Sequence, residues 1–317
     1  MAEEEKQYLD RRLFVLVAAN PYLPEPAPMK TIAALFVCLY LGLAASQASA
    51  ATDTAGPVPS VRLYAFDCGR IDFKDMSMFS DTGDYDGKSG SLVDPCFLIR
   101  HPKGILLWDT GLGDALLGRN DPANDAGVSV HVGVRLLDQL KSIGIAPSNV
   151  TYVAFSHFHL DHTGNANVFI ASTWIINRKE LDWALGAPTP PVVDLKSFSA
   201  YKTVSTQMIT GDYDVFHDGT VRILQAPGHT PGHQVLLLKL AKTGTVLLSG
   251  DLYHQRSDRP RAGDTGGRVM TVNTSRADSL ASINRIETII KNTHARLIIQ
   301  HDSDDFKALP VSPAYLE

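Results

Sequence analysis

The chain has 317 residues, of which 44% are hydrophobic, and 29 Lys and Arg against 34 Asp and Glu leave a formal net charge of −5. This length and apolar content are sufficient for a large globular core, and they exclude a wholly disordered or collagen-like chain. The acidic balance argues against a nucleic-acid partner, because a general nucleic-acid binder carries a basic surface. Three cysteines are too few for a disulfide scaffold.

The first 50 residues are predicted to precede the folded part of the chain. Residues 31–45 form an unbroken apolar run, which follows Lys30 and leads into an Ala-x-Ala sequence that ends at Ala50. This order is typical of a secretory signal peptide, and the run is shorter than the roughly 20 apolar residues that a membrane-spanning helix needs. We therefore predict a signal peptide over residues 29–50, with a membrane anchor as the alternative. Export to the periplasm or the medium would follow, with no stable membrane association after cleavage.

Residues 1–28 are acidic and interrupted by prolines, which fits no part of a signal peptide. They are predicted to be an upstream extension, with Met29 as the natural start. Cleavage after the signal would leave residues 51–317 as a single domain with two cysteines, Cys68 and Cys96. In an oxidising compartment these two either form a disulfide or lie on strands as small apolar side chains.

Strands and helices alternate along this domain. Runs of β-branched, aromatic and aliphatic residues predict strands at 61–66, 97–100, 105–109, 150–155, 173–176, 221–225, 234–240 and 245–248. Apolar residues at helical spacing predict helices at 134–143, 178–185 and 275–293, the last with Ser275 as its N-cap. Stretches rich in Gly, Asp, Ser or Pro predict loops at 74–94 and 186–191. The pattern favours layered sheets covered by helices.

A dense set of metal-binding side chains follows the strand that is predicted to end at Phe155. The sequence from residue 156 to 162 is S-H-F-H-L-D-H, so that His157, His159, Asp161 and His162 lie within one short loop. A loop that follows a strand can direct several side chains into the space above the sheet edge. Imidazole nitrogen and carboxylate oxygen suit zinc and similar divalent metals, so this run indicates a metal site rather than an ordinary polar loop.

Three later segments each add one residue of the same kind. His229 lies in a turn with Pro and Gly on both sides, Asp251 follows an apolar strand, and His301 ends another apolar run. His233 has the right side chain for a ligand but immediately precedes a predicted strand. We expect it to hydrogen-bond near the site instead of binding metal.

These four segments, in this order, resemble the metallo-β-lactamase superfamily over most of residues 60–302. The resemblance implies an α/β fold of the αββα sandwich type, with a dinuclear metal site at one edge of its two sheets. It implies two divalent metal ions per chain, most commonly Zn²⁺, with Fe, Mn or Co as alternatives. It also implies seven ligands: His157, His159 and His229 for one metal, Asp161, His162 and His301 for the other, and Asp251 bridging both. Asp109, in a D-T-G sequence after a predicted strand, would support the site from behind through hydrogen bonds.

Within the superfamily the sequence is most similar to the N-acyl-homoserine lactone lactonases, which are quorum-quenching enzymes. The similar stretches are residues 156–165, 209–213, 226–234 and 300–302. The implied activity is opening of the lactone ring by a hydroxide that bridges the metals, with Asp161 carrying a proton to the leaving ring oxygen. Many of these lactonases have an active-site tyrosine three residues after the bridging aspartate. His254 occupies that position here and Tyr253 precedes it, so both are candidates to contact the substrate.

An acyl tail would need an apolar surface beside this site. The candidates are Met76, Met78 and Phe79, in a loop whose methionines adapt readily to a ligand, and Leu160 in the metal-binding run. The alternative activity is hydrolysis of another ester, a thioester or a phosphotriester, because a dinuclear site sets the reaction class more firmly than the substrate. A metal-stabilised binding module is the non-catalytic alternative. A small-molecule lactone or ester is the expected partner, and a homodimer is left open.

Overall fold

The computed structural model describes residues 60–119, 121–260 and 268–317. The predicted upstream extension and signal peptide, residues 1–50, lie outside these described residues. Among the helices that are described, none is both long enough and apolar enough to cross a membrane.

A seven-stranded mixed sheet is formed by the first part of the domain. Its strands are β1 (Arg62–Phe73), β2 (Gly90–His101), β3 (Gly104–Trp108), β4 (Val128–His131), β5 (Tyr152–Ala154), β6 (Thr173–Asn177) and β7 (Thr206–Ile209). They lie in the order β4-β1-β2-β3-β5-β6-β7. The pairs from β4 to β3 are antiparallel, and those from β3 to β7 are parallel. The carboxyl ends of β3, β5 and β6 therefore meet at one edge of the sheet, where ligands commonly bind.

A five-stranded sheet is formed by the second part. Its strands are β8 (Tyr213–Asp214), β9 (Val221–Gln225), β10 (Gln234–Leu240), β11 (Gly244–Leu248) and β12 (Arg296–Ile298), in the order β12-β11-β10-β9-β8. Neighbouring strands are antiparallel except for β11 and β12, which are parallel. In β10 the side chains alternate between two apolar clusters, with Leu236 and Leu238 facing the first sheet and Val235 and Leu237 facing outward.

Helices cover the outer face of each sheet. The helices are α1 (Leu136–Ser142), α2 (Leu160–Thr163), α3 (Arg178–Ala184), α4 (Arg276–Thr293) and α5 (Ser303–Lys307). α1 and α3 pack on the first sheet through Leu140 and Leu181, and α4 packs on the second through Ile283 and Ile286. The layers are therefore helix, sheet, sheet and helix, which confirms the αββα sandwich that the resemblance implies.

The sequence locates most elements but misplaces some. The three predicted helices are present to within two residues, and the Ser275 side chain accepts a hydrogen bond from the Asp278 amide as an N-cap. The predicted loop 74–94 was wrong at its end, because residues 90–94 begin β2 and pair with β1. β4, β7 and β8 were missed, since strands of two to four residues are too short to show a periodic pattern.

Cys68 on β1 and Cys96 on β2 form a disulfide with their Cα atoms 5.8 Å apart, which settles the alternative that the sequence left open. The disulfide is buried directly beneath the D-T-G turn. A Cβ atom on Gly111 would lie 2.3 Å from the Cys68 Cβ, and the backbone there has a φ of +68°. Glycine is therefore required at residue 111 for both space and backbone conformation.

Candidate metal centre

Seven imidazole and carboxylate side chains converge at the edge where both sheets end. Each follows the carboxyl end of a strand: four follow β5, and one each follows β9, β11 and β12. They form two groups, in each of which the ligand atoms lie within 4.8 Å of one another: His157, His159, His229 and Asp251 in the first, and Asp161, His162 and His301 in the second. The structure thus brings together all seven residues that the resemblance implies.

Asp251 lies between the two groups. Its Oδ1 is 3.0 Å from His301 Nε2 and 3.2 Å from His162 Nε2, whereas its Oδ2 is 3.3 Å from His229 Nε2. Burial alone would raise the pKa of Asp251, but the surrounding imidazoles, His301 foremost, hold it well below its usual range. An ionised carboxylate with one oxygen toward each group is the arrangement that bridging two cations requires.

The donor set fits divalent metals. His162 Nε2 is buried and lies 3.2 Å from Asp251 Oδ1, but it makes no hydrogen bond among the described residues. A buried ring nitrogen without a hydrogen bond is unfavourable unless a cation occupies the space that it faces. His159 Nδ1 likewise lies 2.9 Å from His157 Nε2 and 3.1 Å from His229 Nε2, so three ring nitrogens point at one space. Five imidazoles and two carboxylates suit zinc and its first-row neighbours.

Hydrogen bonds on the opposite ring nitrogen orient three of these imidazoles. The Nδ1 atoms and their oxygen partners are His162 with Asp109 Oδ2 at 3.0 Å, His229 with Asn273 Oδ1 at 2.9 Å, and His301 with the Val93 carbonyl at 2.7 Å. Since each partner is an acceptor, the proton belongs on Nδ1. The lone pair of each Nε2 is thereby directed into the site.

Asp109 is buried behind the centre and connects the ligand loops. Its Oδ1 accepts from the Ser156 amide at 2.7 Å, and its Oδ2 accepts from Gln300 Nε2 at 3.0 Å. Its backbone has a φ of 58°, a left-handed conformation that costs free energy for a residue other than glycine. The protein keeps this strained turn because it places one carboxylate against His162 and both neighbouring loops.

His233 is not a member of either ligand group. Its Nδ1 lies 2.8 Å from the Ala226 carbonyl, so Nδ1 carries the proton and donates to it. Its Nε2 then accepts a hydrogen bond from the Asp251 amide at 2.8 Å. His233 therefore fixes the backbone of the residue that lies between the two groups.

A cavity of about 570 Å³ opens beside the centre. It is lined by ligand residues and by apolar side chains from β1, β2, β4, α2 and several connecting segments. Met78, Phe79 and Leu160 line it, but Met76 does not. Met76 is 2% exposed and packs beneath the cavity against Phe79 and Leu92, so its assignment to the substrate surface is corrected.

Tyr253 and His254 point in different directions. His254 lines the cavity, and its Nε2 lies 3.1 Å from Asp251 Oδ2. Tyr253 is buried among apolar residues below α4, and its hydroxyl donates to Glu287 Oε1 at 2.9 Å. Of these two candidates for substrate contact, His254 lies at the centre, whereas Tyr253 points away from the cavity.

Two buried carboxylates near the centre, Asp94 and Glu180, were not identified from the sequence. Asp94 is 1% exposed and neither of its oxygens has a hydrogen-bond partner among the described residues. Burial, with Asp161 nearby, raises the pKa of Asp94 well above its usual range. Glu180 on α3 is 2% exposed, and burial raises its pKa to about 7. The only signal for Asp94 was an acidic residue inside the apolar run L-V-D-P-C-F.

The two ligand groups differ in their protonation. Burial lowers the pKa of His159 to about 4 and holds the pKa values of His157 and His229 well below the usual range. In the second group burial acts in the same direction, but neighbouring carboxylates, Asp251 foremost, outweigh it. They raise the pKa of His301 to about 9 and that of His162 well above its usual value.

Metal binding should therefore release protons from one group only. At pH 7 the imidazoles of the first group are neutral in the metal-free protein, while His162 and His301 carry protons that a metal must displace. We expect calorimetric titration with Zn²⁺, in buffers of different ionisation enthalpy, to show imidazole proton release for one of two equivalents. The part of the release that comes from His301 should fade as the pH rises through about 9, its pKa. Equal proton release by both equivalents would contradict this assignment.

Known proteins share this sequence pattern and geometry. Residues 92–301 match the family model described as the metallo-beta-lactamase superfamily. The chain is 31% identical to the N-acyl homoserine lactonase AttM of Azorhizobium caulinodans, with 81% of this chain and 99% of that protein covered. It is 27% identical to the N-acyl homoserine lactonase AiiA of Bacillus thuringiensis subsp. kurstaki, with coverage of 73% and 89%.

Solved structures show the same fold. One is an N-acyl homoserine lactone hydrolase with its product, N-hexanoyl-L-homoserine, bound at the catalytic metal centre. It aligns with a TM-score of 0.69 at 25% identity, covering 80% of this chain and 98% of that one. AidC, a dizinc quorum-quenching lactonase, shares the fold with a TM-score of 0.59 at 20% identity, covering 79% and 92%. The chain belongs to the metallo-β-lactamase superfamily.

Proposed function

We propose that this protein hydrolyses the lactone ring of N-acyl-homoserine lactones. The observation that carries the proposal is the position of Asp251, between two groups of metal ligands and at the end of an apolar cavity. The ligand groups supply the hydrolytic chemistry, and the cavity accommodates an acyl tail. The lactonases that the chain resembles in sequence and in fold support this choice among the possible ester substrates.

The cofactors that we propose are two divalent metal ions, Zn²⁺ foremost because histidine predominates among the ligands. His157, His159 and His229 would hold one ion, Asp161, His162 and His301 the other, and Asp251 both. When bound, two such cations supply hydroxide at neutral pH and stabilise the negative charge that develops on the substrate oxygen.

Two side chains of the cavity handle the substrate around the ring. Asp161 belongs to the second ligand group and also lines the cavity, so its carboxylate is placed to take a proton from the attacking water and pass it to the leaving ring oxygen. His254 offers a ring nitrogen beside Asp251, where it donates a hydrogen bond to a substrate oxygen. Water is the second reactant, and the product is an open-chain N-acyl-homoserine.

The acyl tail lies in the apolar part of the cavity. Phe73, Val128, Val130 and Leu160 line this part, beyond the ligand residues. Burial of one methylene group is worth about 0.8 kcal/mol, or about a fourfold change in binding. Each methylene that the cavity encloses should therefore improve substrate capture by up to about that factor.

A substrate panel tests the proposed activity. We expect the Zn²⁺-loaded protein to open butanoyl, hexanoyl, octanoyl and decanoyl homoserine lactones, with kcat/KM rising by up to about fourfold per methylene until the cavity is filled. Mass spectrometry of the ring-opened product measures the turnover. Val130→Asn should flatten the rise with chain length. Val311→Asn, at a position that is 85% exposed and does not line the cavity, should leave it unchanged.

Two results of this panel would count against the proposal. If thioesters or phosphotriesters are hydrolysed while every lactone is left intact, the protein is a different hydrolase on the same metal centre. If lactones are hydrolysed at rates independent of chain length, the activity stands but the cavity does not bind the acyl tail.

His254 and Tyr253 provide a matched pair of variants. His254→Phe keeps a flat ring but removes the hydrogen-bond donor, so we expect kcat to fall by about 10² with metal content unchanged. Tyr253→Phe removes only the bond to Glu287, far from the substrate, and should keep kcat within about twofold of the parent. Steady-state kinetics with metal analysis decides, and the reverse pattern would restore Tyr253 as the substrate contact.

We further propose that the protein is exported. The apolar run before Ala50 has the form of a cleaved signal, and the Cys68–Cys96 disulfide is of a kind that persists in oxidising compartments. Both observations favour the periplasm or the medium over the cytoplasm.

Intact-mass analysis of the full chain expressed in a bacterium tests export. We expect the mature protein in the periplasmic or medium fraction, beginning at Ala51, with no thiol available to alkylation after unfolding. Cys38 would have been removed with the signal, and the remaining two cysteines are paired. A cytoplasmic protein that retains its N-terminus and three alkylated cysteines would refute the assignment.

A further inference from the structure

One buried carboxylate joins the two loops that carry the first ligand group. Glu180 Oε1 accepts from the Phe158 amide at 2.9 Å, and Oε2 accepts from Thr230 Oγ1 at 2.7 Å and from the Gly232 amide at 3.0 Å. All three donors belong to metal-binding loops, and none belongs to a metal ligand. Glu180 itself does not line the substrate cavity.

The donors are adjacent to all three histidines of the group. Phe158 lies between His157 and His159 in the loop after β5, which belongs to the first sheet. Thr230 follows His229 in the turn before β10, which belongs to the second sheet. The carboxylate therefore spans the two sheets at the position where their histidines must meet around one metal.

We infer that Glu180 is a positioning residue, whose carboxylate sets the distance between the His157–His159 loop and the His229 turn and so determines the geometry of one metal position. This inference rests on the metal centre of the proposed function and holds for any substrate. Two acceptor oxygens are needed because each of them faces donors from a different loop. A glutamine at this position has one acceptor oxygen, so either Phe158 or the Thr230–Gly232 pair would face an N–H group instead.

The surroundings leave this carboxylate little freedom to move. A Cβ atom on Gly232 would lie 2.4 Å from the Glu180 amide nitrogen, so α3 packs directly against the turn. Asn177, the N-cap of α3, donates to the Gly232 carbonyl at 2.8 Å and accepts from the Lys179 amide at 3.0 Å. The helix thus begins at the turn that it holds, and its first turn presents Glu180 to both loops.

A second connection between the sheets does not depend on Glu180. Gln234 lies at the start of β10. Its backbone N–H donates to the Ser156 carbonyl at 2.9 Å, and its side-chain Nε2 donates to the Phe155 carbonyl at 2.9 Å. The two sheets therefore stay attached in a Glu180 variant. Loss of the carboxylate should shift the histidine loops relative to each other without separating the layers.

Cobalt substitution tests the inference without using a substrate. In Glu180→Gln loaded with Co²⁺, we expect the visible spectrum to differ from that of the parent protein. We also expect one of the two ions to be released to a chelator about 10-fold to 100-fold faster. The second ion should keep the parent release rate. Any lactonase activity should show a lower kcat with KM nearly unchanged, because the substrate cavity is intact.

Matched variants make the result specific. Glu287→Gln also removes a carboxylate that accepts hydrogen bonds, from Tyr253 and Arg259, away from the ligand groups, and should leave the cobalt spectrum unchanged. Thr230→Val removes one of the three donors and should give a smaller shift in the same direction. It tests the inference if Glu180→Gln does not fold.

The possible outcomes separate the inference from the proposed function. A parent protein that binds no Co²⁺ would overturn the metal centre itself. A parent that binds two ions, with Glu180→Gln and Thr230→Val showing the same spectrum and release rates, would overturn the role of Glu180 alone. Equal loss of both ions, in proportion to a fall in thermal stability, would also overturn it, since Glu180 would then be merely structural.

Discussion

The mutual crowding of buried imidazoles around one carboxylate is the constraint on which this molecule depends. Five histidine side chains and two aspartates are brought to one edge of the sandwich, and most of them are removed from water. Nitrogen lone pairs that point at a common space repel one another and lose their hydration, so the fold must hold them there by other contacts. Cations in that space convert the same arrangement into a favourable one.

The rest of the edge is organised to impose this crowding. The strained turn at Asp109 is bonded to Gln300 from the opposite sheet, and Gln300 Oε1 also accepts from Trp108 Nε1 at 3.0 Å and from the Gly250 amide at 2.9 Å. The disulfide closes the space below that turn. Hydrogen bonds between the sheets thus lie directly behind the ligands, where the apolar core alone would not fix side-chain direction.

Much of this arrangement was predictable because the ligands follow strand ends. Apolar strands identify themselves by composition, and a histidine or aspartate directly after one must lie at the sheet edge. This reasoning drew attention to the residues at these strand ends and to sheets covered by helices, and the resemblance to the superfamily supplied the two ligand groups and the αββα order of layers. It could not order two neighbouring side chains on an irregular segment, so Tyr253 and His254 were equal candidates until the structure showed the Tyr253 hydroxyl bonded to Glu287.

The residues that were missed act through space and leave no local pattern. Glu180 is an ordinary helix-favouring residue in an amphipathic helix, and its importance depends on two loops that are 22 and about 50 residues away. Met76 and Met78 are both methionines in the same short segment, but Met76 is buried against Phe79 and Leu92 whereas Met78 lines the cavity. In an irregular segment, tertiary packing decides which side chains are buried, and no periodic pattern in the sequence indicates it.

In the proposed centre, the position of Asp251 also means that two metal ions would not bind independently of each other. One carboxylate contributes an oxygen to each group, so the charge that attracts the second cation has already been shared with the first. Thermodynamic linkage then makes the effect reciprocal: whatever factor one ion imposes on the affinity for the other, it experiences in return. Loading of this centre is therefore cooperative, of one sign or the other, and a single dissociation constant does not describe it.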